Sequence, residues 1–133
     1  NADPILETFV SDYRGWAEVN IQSILAVDLE EERLSHERPP FNGLPDARVR
    51  LKGREGRITI LDYKTGQKSP LWFLQLGAYG ILAGGLCDAR ILHFDKKTGR
   101  LAEVIEITQV RMIFYGQLFL GAYDIYRLFK KVG

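Results

Sequence analysis

The chain has 133 residues, of which 46% are hydrophobic and 26% are charged, and its formal net charge is +1. These values predict one globular domain, residues 1–133, with an ordinary buried core. A single cysteine excludes an internal disulfide framework, a multi-cysteine zinc site and a four-cysteine iron–sulfur cluster, and no apolar run reaches the ~20 residues that span a bilayer.

The apolar pattern of the first half predicts one helix and then three strands. Asp3-Pro4 is an N-cap signal that precedes apolar residues at helical spacing. We expect this helix to end near Asn20. The three strands are expected at residues 24–34, 46–51 and 57–63, with a loop at 38–43 and a hairpin turn at 52–56.

The second half predicts a helix over residues 70–82, strands over 88–95 and 101–107, and a last helix over about 109–130. An alternation of helices and strands in this order predicts an α/β fold with a central mixed sheet flanked by helices. The last helix is expected to turn one apolar side inward, with Val110, Ile113, Phe114, Gln117, Leu118, Gly121, Ile125, Leu128 and Phe129 on that side.

Asp62-Tyr63-Lys64 directly follows the apolar run Ile58-Thr59-Ile60-Leu61. Because side chains alternate along a strand, Asp62 and Lys64 project from the same face. A charge at the end of a buried strand requires a compensating partner or a function. A metal bound by Asp62 and the Lys64 cation would act on the same substrate oxygen, so this pattern indicates a metal-dependent nuclease.

A second carboxylate and a local group of basic residues support this interpretation. Asp46 begins the partner strand of the predicted hairpin. Residues 1–40 carry nine acids against three Lys or Arg, whereas residues 48–68 carry seven Lys or Arg against two acids. Such a stripe attracts phosphate, although a solvated hairpin face is the simpler alternative. The stripe consists of Arg48, Arg50, Lys52, Arg54, Arg57, Lys64 and Lys68.

Gln75 and Tyr79 stand four residues apart and share one face of the predicted helix. Taken with Asp46 and Asp62-Tyr63-Lys64, they make the sequence resemble the PD-(D/E)XK nuclease superfamily, in particular its RecB-like exonuclease branch. The resemblance covers about residues 24–82. It implies a restriction-endonuclease-like αβββαβ core and Mg²⁺- or Mn²⁺-dependent hydrolysis of DNA, with an exonuclease of phage, mobile-element or repair type expected.

The resemblance also implies roles for individual residues. Asp46 and Asp62 would ligate one or two metal ions together with the backbone carbonyl of Tyr63, and Lys64 would position the attacking water and stabilise the transition state. Gln75 and Tyr79 would lie near the catalytic centre and the DNA backbone. Hard oxygen ligands independently favour Mg²⁺ or Mn²⁺ over zinc.

Several residues differ from the pattern of the RecB-like branch or have a role that the sequence leaves undecided. Asp28 or Glu30 is a candidate for an additional metal-binding acid. Many relatives carry a histidine upstream of the first acid, but His36 falls in a predicted loop and His93 in a late strand, so we interpret both as surface or packing residues. Trp72 is expected in the core, with base stacking as the alternative.

Other functions remain open at this stage. One is a non-catalytic nucleic-acid-binding or scaffold domain of the same fold. Another is a nuclease subunit that acts only inside a helicase or recombination complex, and a homo-oligomer is also compatible. We expect a cytoplasmic protein that contacts DNA and no membrane, and the start at Asn1 is compatible with a truncated N-terminus.

Overall fold

A computed structural model describes residues 3–27, 34–37, 40–43, 46–84 and 86–132. Asp3 begins the first helix as predicted, because its carboxylate accepts a 2.9 Å hydrogen bond from the N–H of Ile5. The elements are α1 (Pro4–Asn20), β1 (Ile21–Val27), β2 (Leu34–Glu37), β3 (Pro40–Gly43), β4 (Ala47–Leu51), β5 (Ile58–Thr65), α2 (Leu71–Leu82), β6 (Cys87–Phe94), β7 (Leu101–Ile107) and α3 (Gln109–Val132).

The main sheet has five strands in the order β1-β4-β5-β6-β7. The central pair β5–β6 is parallel, and α2 is the crossover that joins these two strands. The pairs β1–β4, β4–β5 and β6–β7 are antiparallel. The prediction of an α/β fold with a mixed sheet flanked by helices is therefore confirmed.

The sheet separates two apolar clusters, as expected for side chains that alternate between its faces. On one face, Ile60 and Ile91 pack with Leu76 of α2 and Met112 of α3. On the other face, Leu61, Leu92 and Phe94 pack with α1, whose inward side chains are Phe9, Tyr13 and Trp16. Asp62 and Lys64 continue the alternation of Ile60, so they project from the face that carries α2.

The region before β4 differs from the prediction. The first strand begins at Ile21, three residues earlier than expected, and residues 28–33 of the predicted strand lie outside the described residues. The predicted loop at 38–43 instead contains β3, which pairs with β2 as a separate two-stranded ribbon. Pro40 occupies the first position of β3, a position at which proline does not disrupt the ladder.

The helices α2 and α3 cross with their backbones in close contact. A Cβ atom on Gly77 would lie 2.3 Å from the carbonyl carbon of Tyr115 and 2.4 Å from the backbone nitrogen of Gly116. Only glycine permits this approach, so the crossing determines which side of α3 faces the core. That side carries Met112, Tyr115 and Gly116.

The predicted inward side of α3 is wrong for this reason. The apolar residues assigned to it are exposed. Further along the helix, residues 124–131 are exposed on every side, and where α3 crosses α2 the assigned residues lie on the side opposite the glycine contact. Their exposed fractions are 76% for Val110, 45% for Ile113, 54% for Phe114, 45% for Leu118, 57% for Ile125, 62% for Leu128 and 71% for Phe129. Within the described residues, no helix combines the length and apolarity needed to cross a membrane.

Candidate active site

The two predicted metal-binding acids meet at one end of the β4–β5 hairpin. Ala47 pairs with Leu61, so Asp46 lies beside Asp62 at the next step of the same register. The backbone N–H of Tyr63 donates a 2.7 Å hydrogen bond to Oδ2 of Asp46. This bond holds the Asp46 side chain against the end of β5, which is where the sequence predicts the catalytic centre.

Lys64 extends the site toward α2. Its Nζ lies 3.0 Å from Oδ2 of Asp62 and donates a 2.6 Å hydrogen bond to Oε1 of Gln75. The Nε2 of Gln75 in turn donates a 2.9 Å hydrogen bond to the hydroxyl oxygen of Tyr79. The structure therefore brings Asp46, Asp62, Lys64, Gln75 and Tyr79 into one continuous network.

Asp62 is buried, with only 3% of the residue exposed. Burial, followed by its hydrogen bond to the Asp46 carboxyl group, raises its pKa from 3.8 to about 7, and the nearby Lys64 cation offsets part of this increase. Asp62 Oδ2 is buried and lies 3.0 Å from the Lys64 ammonium nitrogen, and no other described residue donates a hydrogen bond to it. Two close carboxyl groups thus share a site that favours one negative charge rather than two.

Asp88 is a buried carboxylate with a different environment. Thr59 Oγ1 donates a 2.6 Å hydrogen bond to Asp88 Oδ1, and the Nη1 atom of Arg90 lies 3.4 Å from Asp88 Oδ2. Asp88 is therefore fully compensated by neighbouring side chains, as a structural charge must be. Asp62 has the Lys64 ammonium group beside it, but its buried Oδ2 atom lacks a hydrogen-bond donor.

The donor set at Asp46 and Asp62 fits a hard divalent cation. Both groups are carboxylates, their proximity is unfavourable when both are ionised, and a buried oxygen of Asp62 lacks a hydrogen bond. Among the residues that the structure describes, no cluster of three or more His, Cys, Asp or Glu side chains surrounds them. Asp28 and Glu30, the candidates for a third acid, lie outside the described residues.

His93 and Trp72 pack behind the candidate site. His93 is the partner of Lys64 in the parallel β5–β6 register, and its Nε2 lies 2.6 Å from the carbonyl oxygen of Gly66. The Trp72 ring meets the His93 ring edge-on at 5.1 Å and also contacts the core cluster. The packing contacts expected for His93 and Trp72 are therefore present, and base stacking by Trp72 stays an untested alternative. His36, expected in a loop, belongs instead to β2.

Sequence reasoning did not identify two further contacts beside the site. Lys68 forms a 2.6 Å ion pair with Glu103, whose pKa is held below its usual value mainly by that hydrogen bond. On the opposite face of the sheet, the Tyr63 hydroxyl donates a 2.9 Å hydrogen bond to the Tyr13 hydroxyl. These pairs are far apart in sequence and obey no spacing rule, so only the topology of the sheet reveals them.

The basic stripe is partly engaged in contacts within the protein. Arg50 and Lys52 donate to the backbone carbonyls of Glu55 and Glu18, at 2.7 and 2.8 Å, so these contacts do not neutralise either charge. Arg54 lies 3.5 Å from Asp88, so that charge is partly neutralised. By alternation with the buried Ala47 and Val49, Arg48 and Arg50 face the same side of the sheet as Asp62.

No protein-family model matches this sequence, and comparison with curated proteins gives no significant match. We therefore infer the function from the geometry of the candidate site and the chemistry of its residues.

Proposed function

We propose that this protein is a metal-dependent DNA nuclease with a restriction-endonuclease-like core. One observation carries the proposal: the β4–β5 hairpin brings together Asp46, Asp62 and Lys64, three residues that the sequence separates by up to 18 positions. Two carboxylates and an ammonium group in contact at a strand end match the chemical needs of phosphodiester hydrolysis. The order α1, β1, β4, β5, α2, β6 agrees with the αβββαβ core of that fold.

In this proposal Asp46 and Asp62 hold Mg²⁺ or Mn²⁺, and the Tyr63 backbone carbonyl is a further candidate ligand. Held by these residues, such an ion would supply a bound water of lowered pKa and positive charge beside the phosphate. Burial of Asp62 keeps competing water away from its carboxylate and strengthens its electrostatic interactions. The N–H of Tyr63 fixes the Asp46 carboxylate in position before any ligand arrives.

Lys64 supplies the cationic side chain. Its Nζ is held between Asp62 and Gln75, so the position of the positive charge beside the two carboxyl groups is fixed. A charge placed in advance stabilises the transition state without the cost of reorganising the side chain. The ammonium N–H groups of Lys64 would also donate hydrogen bonds to the oxygen of an attacking water molecule and so orient that water.

Arg48 and Arg50 supply longer-range attraction for the DNA backbone. They face the same side of the sheet as the carboxylates, and Arg50 donates to a carbonyl rather than to an acid, so its charge is retained. Basic residues beside a cleavage site raise the local concentration of nucleic acid and make binding depend on salt. This arrangement favours a nucleic acid substrate over a small phosphate ester.

The test is incubation of the purified chain with end-labelled linear DNA and closed circular DNA in Mg²⁺, in Mn²⁺ or in EDTA. Asp62→Asn and Lys64→Met are the site variants, and Glu18→Gln and Lys97→Met are matched controls on exposed positions away from the site. We expect metal-dependent cleavage by the wild type and both controls, and a loss of about 10²-fold or more in each site variant.

The result distinguishes the alternatives. Loss of linear DNA alone identifies an exonuclease, and cutting of the circle identifies an endonuclease. DNA binding without cleavage in any metal would contradict the proposal and would favour a non-catalytic domain. Normal cleavage by Lys64→Met would mean that the catalytic site lies elsewhere.

A further inference from the structure

Outside the candidate site, the most unusual feature of the surface is an exposed apolar stripe along α3. It consists of the exposed side chains of Val110, Ile113, Phe114, Leu118, Ile125, Leu128 and Phe129, here called the α3 stripe. Successive members differ by three, four or seven positions for the most part, so they lie on one side of the helix. The side of α3 that contacts α2 carries Met112, Tyr115 and Gly116 instead.

The α3 stripe is large enough to form a specific interface. Its seven side chains are each about half exposed or more, so they present on the order of 100 Å² each and roughly 700 Å² together. A standard protein interface buries about 800 Å² on each partner, whereas apolar patches on monomeric proteins are usually smaller than this. Residues 112–123 also lack any charged side chain, as the centres of interfaces do.

Four of the seven stripe residues are related by an approximate two-fold symmetry about a point between Phe119 and Leu120, whereas Ile113 and Leu128 exchange with Tyr126 and Arg111. Reversal of the helix about this point exchanges Val110 with Phe129 and Phe114 with Ile125. It also exchanges Leu118 with Gly121, where a Cβ atom would meet nothing within 4 Å. A symmetric dimer requires such a self-complementary surface, in which a large side chain of one copy enters the space beside a small residue of the other.

We propose that the α3 stripe is the interface of a homodimer, in which α3 packs antiparallel against α3 of a second copy. The Leu118 side chain of each copy lies over Gly121 of the other, and Phe114 packs against Ile125. The uncharged segment 112–123 forms the centre of the interface, and the charged residues of α3 lie toward its ends. This inference does not depend on nuclease activity, because it rests on the exposure and symmetry of α3 alone.

The test is the mass of the full 133-residue chain by sedimentation velocity across about a hundredfold range of concentration. We expect a reversible monomer–dimer equilibrium. Phe114→Glu and Leu118→Glu should each weaken the dimer by at least ~30-fold, as expected for central interface residues. Val19→Glu is the control, because Val19 on α1 is 70% exposed but lies outside the stripe. Circular dichroism verifies that each variant is folded.

Cysteine cross-linking tests the antiparallel arrangement even if a glutamate variant fails to fold. A Leu118→Cys/Gly121→Cys double variant should form a covalent dimer under mild oxidation, whereas Val110→Cys alone should not. A monomeric mass at every concentration would overturn the proposal. This holds also if the monomer proves to bind lipid vesicles through the α3 stripe. Cross-linking through Val110→Cys but not through the double variant would overturn the antiparallel geometry.

Discussion

The Nζ of Lys64 donates a 2.6 Å hydrogen bond to Oε1 of Gln75, which lies on the helix that follows the lysine's strand. The same nitrogen lies 3.0 Å from Asp62, so the lysine is restrained from two sides. A lysine side chain loses about 1.5–2 kcal/mol of conformational entropy when it is fixed. Gln75 offsets part of this cost before substrate binds, which makes it a positioning residue for Lys64 in the proposed mechanism.

Gln75→Ala is therefore expected to lower the rate of DNA cleavage by about tenfold, less than the loss from Lys64→Met, because the charge remains but is no longer oriented. Tyr79→Phe removes the hydroxyl that accepts from Gln75 Nε2 and should have a smaller effect. Single-turnover kinetics at saturating metal provide the measurement. If Gln75→Ala cleaves at the wild-type rate, Gln75 does not position Lys64.

The stability of the metal-free protein should depend on pH through Asp62. Its pKa of about 7 in the folded state exceeds the value of 3.8 expected for the unfolded chain, so the folded state binds more protons between these values. The free energy of unfolding should consequently decrease as the pH rises through this window, by up to about 1.4 kcal/mol per pH unit.

Urea unfolding in EDTA from pH 5 to pH 8 measures this slope. The acids with lowered pKa values, Asp95 and Glu103, complete their titration below this range and act in the opposite direction. Asp62→Asn cannot ionise at this position and should remove the decrease, while Glu18→Gln should retain it. An unchanged slope in Asp62→Asn would show that another group is responsible.

A divalent cation should stabilise the protein more at pH 8 than at pH 6, because the cation and the proton compete for the same pair of carboxyl groups. At a concentration of a hundred times its dissociation constant, a ligand specific to the folded state contributes about 2.7 kcal/mol. Thermal unfolding with Mg²⁺, Mn²⁺ or Ca²⁺ gives the measurement without any need for catalysis. Asp46→Asn and Asp62→Asn should each abolish this stabilisation. If the cation does not stabilise the wild-type protein at either pH, the result argues against a cation site.

The contact between Gly77 and the α3 backbone should make this position intolerant of any side chain. A Cβ atom there would lie 2.3 Å from a backbone carbon, so Gly77→Ala must separate the two helices and should cost about 3 kcal/mol or more. Gly15→Ala is a matched control within α1, where the added atom meets nothing within 4 Å and should stabilise the helix by about 0.5–1 kcal/mol. Urea unfolding of both variants tests the contrast, and equal stability would contradict the close crossing.

The sequence predicted much of the fold and the candidate site because these features follow local rules. Alternation placed Asp62 and Lys64 on one face, helical spacing placed Gln75 and Tyr79 together, and the hairpin brought Asp46 to Asp62. Each of these relationships depends on residues that are near in the chain or joined by one turn. A periodic pattern is sufficient to predict such contacts.

The remaining features depend on long-range packing, which a periodic pattern does not contain. The apolar spacing of α3 correctly predicts a helix with an apolar side, but Gly77 and Gly116 select the opposite side for contact with α2. Small residues can form the contact surface between two crossing helices as well as large ones do. A pattern of hydrophobic residues does not identify such small residues. Similarly, the predicted loop at 38–43 has the composition of a loop, although its residues 40–43 pair as a strand.

The hydrogen bonds of the candidate site also have a consequence for the order of folding. Those that join Asp46 to Tyr63, Lys64 to Gln75 and Gln75 to Tyr79 close loops of 17, 11 and 4 residues. The bonds that dock α1 close much longer loops, of 50 residues between Tyr13 and Tyr63 and of 89 between Asp12 and Leu101. Because the entropy of loop closure increases with length, the site region should become structured before α1 docks on the sheet.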